Sequence, residues 1–139
     1  MYHHYFEGWE VKPEFAKEFI SLWPGWLGEE NYHKLDEVTE SEWQRFNKLI
    51  ELIGKDYKIE FAACDRGKLI PVTDVSNILS SYEESMEKDS SLFSKFVIPE
   101  LGCVISEDWD YTYILWYKNH DEVEEISPYI KCANLHHFA

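Results

Sequence analysis

The sequence predicts an α+β fold in which helices pack against an antiparallel sheet. Three observations predict it. Apolar residues make up 45% of the chain and aromatics 17%, enough to fill a core and to exclude disorder despite the high charge. Helix-period and strand-period stretches are interleaved, and the late strands are neighbours in sequence, which favours antiparallel pairing over a doubly wound parallel sheet. The 139 residues match one domain, with no internal repeat, low-complexity tract or linker long enough to divide them.

The elements follow in order. Pro13 suits a first helical position, and Phe15, Phe19, Leu22 and Trp23 then share one face of a helix over 13–23. Pro24-Gly25 stops it. GWLGEENYHKLDEV (25–38) reads as a loop of about fourteen residues, a length that in a compact domain often carries function. Thr39 and Glu42 form a capping box. The helix behind it runs to about Ile53, with Trp43, Phe46, Ile50 and Ile53 as its apolar stripe and Gly54 as its stop. Residues 57–64 (YKIEFAAC) read as a strand, 65–68 as a turn and 69–72 as a second strand. Pro71 places that second strand at a sheet edge, because proline cannot donate to the ladder.

Thr73 or Asp74 caps the clearest helix pattern in the chain, with Val75, Ile78, Leu79, Tyr82 and Met86 on one stripe and Ser80, Glu83, Glu84 and Glu87 opposite. Residues 92–98 fit either a strand or a short helix. Residues 103–106 and 111–118 read as strands of an antiparallel hairpin joined by Glu107, Asp108, Trp109 and Asp110. A short helix is expected over 119–126, with Asp121, Glu122, Glu124 and Glu125 near its positive end. Ser127-Pro128 is expected to start a further turn, and 135–138 a last strand.

The strand YTYILWY is apolar on both faces, as a strand covered by two layers would be. The acidic knuckle before it is different. Burying its three carboxylates would be costly without partners, so the tip is expected to be exposed, with Trp109 sharing that exposure. Tryptophan is a common interface anchor, and acids around it complement lysine and arginine. A second acid-rich stretch holds Glu29, Glu30, Asp36, Glu37, Glu40 and Glu42, with Tyr32 interleaved and Trp26 just before.

The charge balance narrows the partners. There are 27 acids against 13 Lys plus Arg, a formal net charge of −14. Nucleic-acid binding through a basic footprint is disfavoured, as is binding to an anionic membrane surface. A basic partner is favoured, because such a field steers it and raises its on-rate. No apolar stretch approaches the roughly 18 residues of a membrane span. The first residues lack the pattern of a secretory signal. Cys64, Cys103 and Cys132 form no CxxC pair, and the expectation is three reduced, mostly buried thiols in a cytoplasmic protein.

Motifs for chemistry are sparse. The histidine pairs His3-His4 and His136-His137 mark the two ends, and His33 and His120 stand alone. There is no HExxH or HxH, and adjacent histidines on a strand point to opposite faces, so no metal site is expected. No GxSxG, GxxxxGK[ST] or GxGxxG is present. Catalytic residues and cofactors are therefore expected to be none.

A small, acidic, tryptophan-rich α+β chain resembles the immunity proteins of bacterial toxin systems, such as contact-dependent growth inhibition. The residues carrying the likeness are GWLGEENY (25–32) and SEDWDY (106–111), within a similarity of overall character that spans the whole chain. The resemblance implies neutralisation of a basic toxin domain in the cytoplasm of the producing cell. The residues expected to touch that partner are Glu107, Asp108, Trp109 and Asp110, then Trp26, Glu29, Glu30 and Tyr32. Two alternatives stand beside this reading: a DNA mimic that blocks a DNA-binding protein, and a small hydrolase using histidine and acidic residues.

Overall fold

The structure, a computed structural model, describes residues 1–79, 81–87 and 93–139, and for 85–87 the backbone alone. Its centre is a seven-stranded sheet in which every neighbouring pair is antiparallel. The fold is α+β, as the interleaved periodicities predict.

The chain opens with a helical turn, α1 (Tyr2–Tyr5), and a small hairpin of β1 (Phe6–Glu7) and β2 (Glu10–Val11). β3 (Ala16–Ser21) follows, where the sequence pattern predicts a helix. The residues that repeat at helical spacing also alternate: Glu18 and Ile20 bury on one face, while Phe15 ahead of the strand belongs to the cluster on the other. An interior strand covered on both sides satisfies an apolar stripe of either period, so tertiary pairing decides. The expected loop over 25–38 is partly ordered as a 3-10 segment, Glu29–Glu37.

α2 (Glu40–Asp56) carries the capping box: Thr39 Oγ1 accepts from the Glu42 N–H, and the Glu42 carboxylate accepts from the Thr39 N–H. Trp43, Phe46, Ile50 and Ile53 are buried, as the stripe requires. Gly54 does not stop the helix, which runs on to Asp56. A Cβ at Gly54 would lie 2.7 Å from Val75 Cγ2, so the glycine serves the close approach of the segment that follows. β4 (Glu60–Ala63) is shorter than the strand expected over 57–64, and β5 (Lys68–Pro71) lies at the sheet edge.

The helix expected across Val75 to Met86 is broken. A 3-10 turn at Val75–Asn77 is capped by Asp74, and α3 (Tyr82–Glu87) starts separately. Ser81 and Glu84 form a second capping pair, with Ser81 Oγ accepting from the Glu84 N–H at 3.2 Å and the Glu84 carboxylate from the Ser81 N–H at 3.4 Å. That restart signal outweighs the continuous apolar stripe. Ser80 and Leu92 lie outside the described residues, and the Met86 side chain does too.

β6 (Lys95–Ile98) resolves the ambiguous stretch as a strand. β7 (Cys103–Asp108) and β8 (Thr112–Tyr117) form the expected hairpin. α4 (His120–Cys132) is capped by Asn119, and it is continuous through Pro128 rather than restarting there. β9 (His136–Phe138) closes the far edge, giving the order β5-β4-β6-β7-β8-β3-β9.

Two apolar layers cover the sheet. α2 and α4 bury Ile20, Phe96, Ile105 and Leu115 on one face. On the other, Tyr2, Tyr5 and Phe6 pack on Val97, Val104 and Trp116. Alternating residues of β8 thus enter different clusters, and this central strand is core on both sides. Among the described residues, no helix is long and apolar enough to cross a membrane.

Candidate functional site

The four exposed aromatic side chains among the described residues are Trp9, Trp26, Tyr32 and Trp109. Three of them converge. Trp26, Tyr32 and Trp109 line one cleft of about 330 Å³ together with Asp108 and Asp110. The cleft joins two segments that lie about eighty residues apart in the chain. Both belong to the candidate contact residues.

Backbone pairing builds its floor. Ser21 of β3 lies opposite Thr112 of β8, which lies opposite Asp108 of β7. These three residues form one row on one face of the sheet. Ser21 and Thr112 are 3% and 4% exposed. Ser21 Oγ accepts from the Trp23 N–H at 3.3 Å, and Thr112 Oγ1 donates to the Asp110 carbonyl at 3.2 Å. The walls rise from the loops beyond the strands. Trp26 is 63% exposed, and it forms T-shaped pairs with Phe19 and Phe138, the ring centres 4.6 Å and 5.1 Å apart. Trp109 is 57% exposed and meets Phe93 edge-to-face at 4.8 Å. The tip itself turns through Asp110 and Tyr111, both left-handed with φ of 59° and 56°. Such backbone is tolerated at aspartate and costs about 1 kcal/mol or more at tyrosine. Tyr111 is held by its neighbours: burial, then hydrogen bonding with Tyr82, pushes its phenol up to about 12.

A second cleft of about 340 Å³ lies on the other side of the tip, lined by Asp36, Phe93, Glu107 and Tyr111 among others, and it shares Asp108, Trp109 and Asp110 with the first. The tip is therefore a ridge between two grooves.

The structure separates the candidate residues. Trp26, Tyr32, Asp108, Trp109 and Asp110 come together. Glu29 and Glu30 are exposed at the start of the same 3-10 segment as Tyr32, outside the cleft lining. Glu107 is a correction. It belongs to β7 rather than to an exposed knuckle, and it is buried. Ser94 satisfies it: the Ser94 N–H donates to Glu107 Oε1 at 2.7 Å, and the Glu107 N–H donates to the Ser94 carbonyl at 2.9 Å. A strand has period two, so adjacent acids face opposite ways: Glu107 inward and Asp108 to the cleft.

The cysteines also differ from expectation. All three are free, but only Cys103 is buried; Cys64 is half-buried and Cys132 exposed. Burial pushes the Cys103 thiol up to about 12, with Glu122 adding in the same direction.

Sequence reasoning missed one polar cluster. Glu18 of β3 is buried with its carboxylate between two histidines: His137 Nδ1 lies 2.6 Å from Oε1, and His120 Nε2 lies 3.6 Å from Oε2. Ser127 Oγ of α4 lies 3.0 Å from His137 Nε2. A Ser–His–Glu chain of this kind can move a proton. Acyl transfer also needs free N–H donors for the developing oxyanion. Ser127 sits inside α4, where backbone N–H groups bond to carbonyls one turn back. The cluster instead ties β9 and α4 to β3. Its only sequence signal was a glutamate in an apolar stretch. His3, His4, His33 and His136 are exposed. Among the described residues, no group of three or more His, Cys, Asp or Glu is placed to hold a metal ion.

Compared with family models, with curated proteins and with solved structures, the chain matches none.

Proposed function

We propose that this chain is an acidic binding protein that engages a basic protein through the ridge and grooves at the hairpin tip, and that its partner is a toxin domain which it neutralises in the producing cell. One observation carries the reading: three solvent-facing aromatics, drawn from two distant segments, share a cleft with Asp108 and Asp110. Exposed aromatics grouped in one place mark contact surfaces more often than solitary ones do. Carboxylates among them select cationic partners, and the −14 net charge speeds their approach. A toxin that handles nucleic acid must hold phosphates with lysines and arginines, and this face competes for those cations.

The test is association kinetics between the purified chain and the basic protein that it captures from its source cells. Asp108→Lys is expected to slow association about tenfold or more at low salt and to flatten the salt dependence. Unchanged kinetics would remove the tip as the contact.

The hydrolase alternative has the Ser127–His137–Glu18 chain in its favour. Activated-ester turnover that exceeds background and disappears in Ser127→Ala would establish it in place of the binding reading.

A further inference from the structure

We propose that the cleft between Trp26 and Trp109 is an anchor site for one arginine side chain of a protein partner. This deepens the docking reading and rests on it for the source of the arginine.

The argument begins with charge. The cleft lining includes two carboxylates, Asp108 and Asp110, and no lysine, arginine or histidine. An anion or a phosphate backbone is repelled there. The floor hydroxyls already have bonds, Ser21 Oγ to the Trp23 N–H and Thr112 Oγ1 to the Asp110 carbonyl. Asp108 differs: among the described residues, its carboxylate has no hydrogen-bond or ion-pair partner. The floor therefore presents a half-buried carboxylate whose oxygens are free to accept from a ligand.

Shape narrows the cation. The volume of about 330 Å³ lies at the small end of ligand pockets, which run from roughly 300 to 1,000 Å³. It suits one side chain rather than a folded element. The walls are indoles already braced from behind, Trp26 on Phe19 and Phe138, Trp109 on Phe93. Pre-set walls spare the ordering cost of binding. A guanidinium is planar, stacks on aromatic faces and grips a carboxylate with two parallel N–H donors. A lysine ammonium is a compact, strongly hydrated point charge that uses neither feature as well. Elsewhere on the same face a cation already lies beside aromatic rings: the Lys17 ammonium is 5.5 Å from the Phe19 ring centre and 5.4 Å from that of Trp116.

The experiment uses the full chain and three capped tripeptides, Gly-X-Gly with X as arginine, lysine or citrulline, read by NMR at the indole N–H resonances. The arginine peptide is expected to shift the Trp26 and Trp109 signals saturably, with lysine several-fold weaker and neutral citrulline without effect. Asp108→Asn should weaken the arginine peptide about tenfold. Glu7→Gln, an exposed acid on the N-terminal hairpin, should not. Equal binding of arginine and lysine, undiminished binding in Asp108→Asn, or the same shifts produced by a neutral methyl glycoside would each overturn the anchor. The docking reading fails separately. If the basic protein partner still binds and Asp108→Lys abolishes that binding while the arginine peptide is inert, only the anchor falls. If the peptide binds but the basic partner does not, the docking reading falls.

Discussion

Glu18 shows how little a single residue reveals before the chain folds. In sequence it is one of 27 acids. In the fold its side chain is 10% exposed and bonded to His137, which lies 119 residues away. Pairing across β3 and β9 makes this contact, since Ile20 lies opposite His137 and Glu18 shares the face of Ile20. Removing the imidazole strands a buried carboxylate. His137→Ala is expected to cost about 2–3 kcal/mol in urea unfolding, and Ser127→Ala about 1 kcal/mol or less. A loss below about 0.5 kcal/mol for His137→Ala, well under the roughly 1–3 kcal/mol of a stranded buried group, would show that the cluster ties nothing together. Glu107 and Asp108 teach the same lesson. They are chain neighbours with opposite fates, because β7 runs two residues further than the sequence suggests and its alternation sends them to opposite faces.

Elements were legible where a local signal agreed with the packing. The Thr39–Glu42 box, the Pro71 edge and the late hairpin all lie where residues 39–42, 71 and 103–118 predict them. They failed where two local signals competed. The stripe from Val75 to Tyr82 is helical in period, yet Asp74 and Ser81 each offer a cap, and the chain takes two short turns instead of one long helix. β3 failed because a doubly covered strand and an amphipathic helix can share one apolar pattern. Gly54 suits a helix stop by sequence and is a close contact in the fold. The contact is testable. Alanine improves helix propensity by about 1 kcal/mol, while displacing Val75 costs about 1–3 kcal/mol. Gly54→Ala is therefore expected to destabilise by about 1 kcal/mol, and Gly54→Ala combined with Val75→Ala to be less unstable than the sum of the two single changes. Additive unfolding energies would mean that the two segments do not press on each other.

The whole molecule is expected to lose stability in alkali. The Cys103 thiol ionises ordinarily near 9.0 and is held up to about 12 in the fold; Tyr113 is raised as well, by burial and then by Glu107. Below pH 9 both states keep the thiol proton and no stability depends on it. Above that, the unfolded state releases the proton and the folded state does not, so stability falls as pH rises. The Cys103 share is about 4 kcal/mol across pH 9 to 12. Cys103→Ala should flatten the urea-midpoint decline over that range, whatever its effect at neutral pH. Thiol labelling gives a check in the same samples: exposed Cys132 should react in the native protein, and Cys103 only after unfolding. An identical alkaline decline in Cys103→Ala would assign it elsewhere.

Composition, period and caps by themselves determined an acidic α+β domain with an antiparallel sheet, a capped α2, a proline-marked edge and an exposed Trp109. These follow from interactions within a few residues or from sums over the whole chain, and both survive without knowledge of the fold. Only the tertiary structure decided that β3 is a strand, that Glu107 turns inward, that Glu18 meets His137, and that Trp26 and Tyr32 share a cleft with Trp109. Each of those depends on which strands lie side by side and in what register. A shift of one residue in that register would send Glu18, Glu107 and His137 to the opposite face of the sheet.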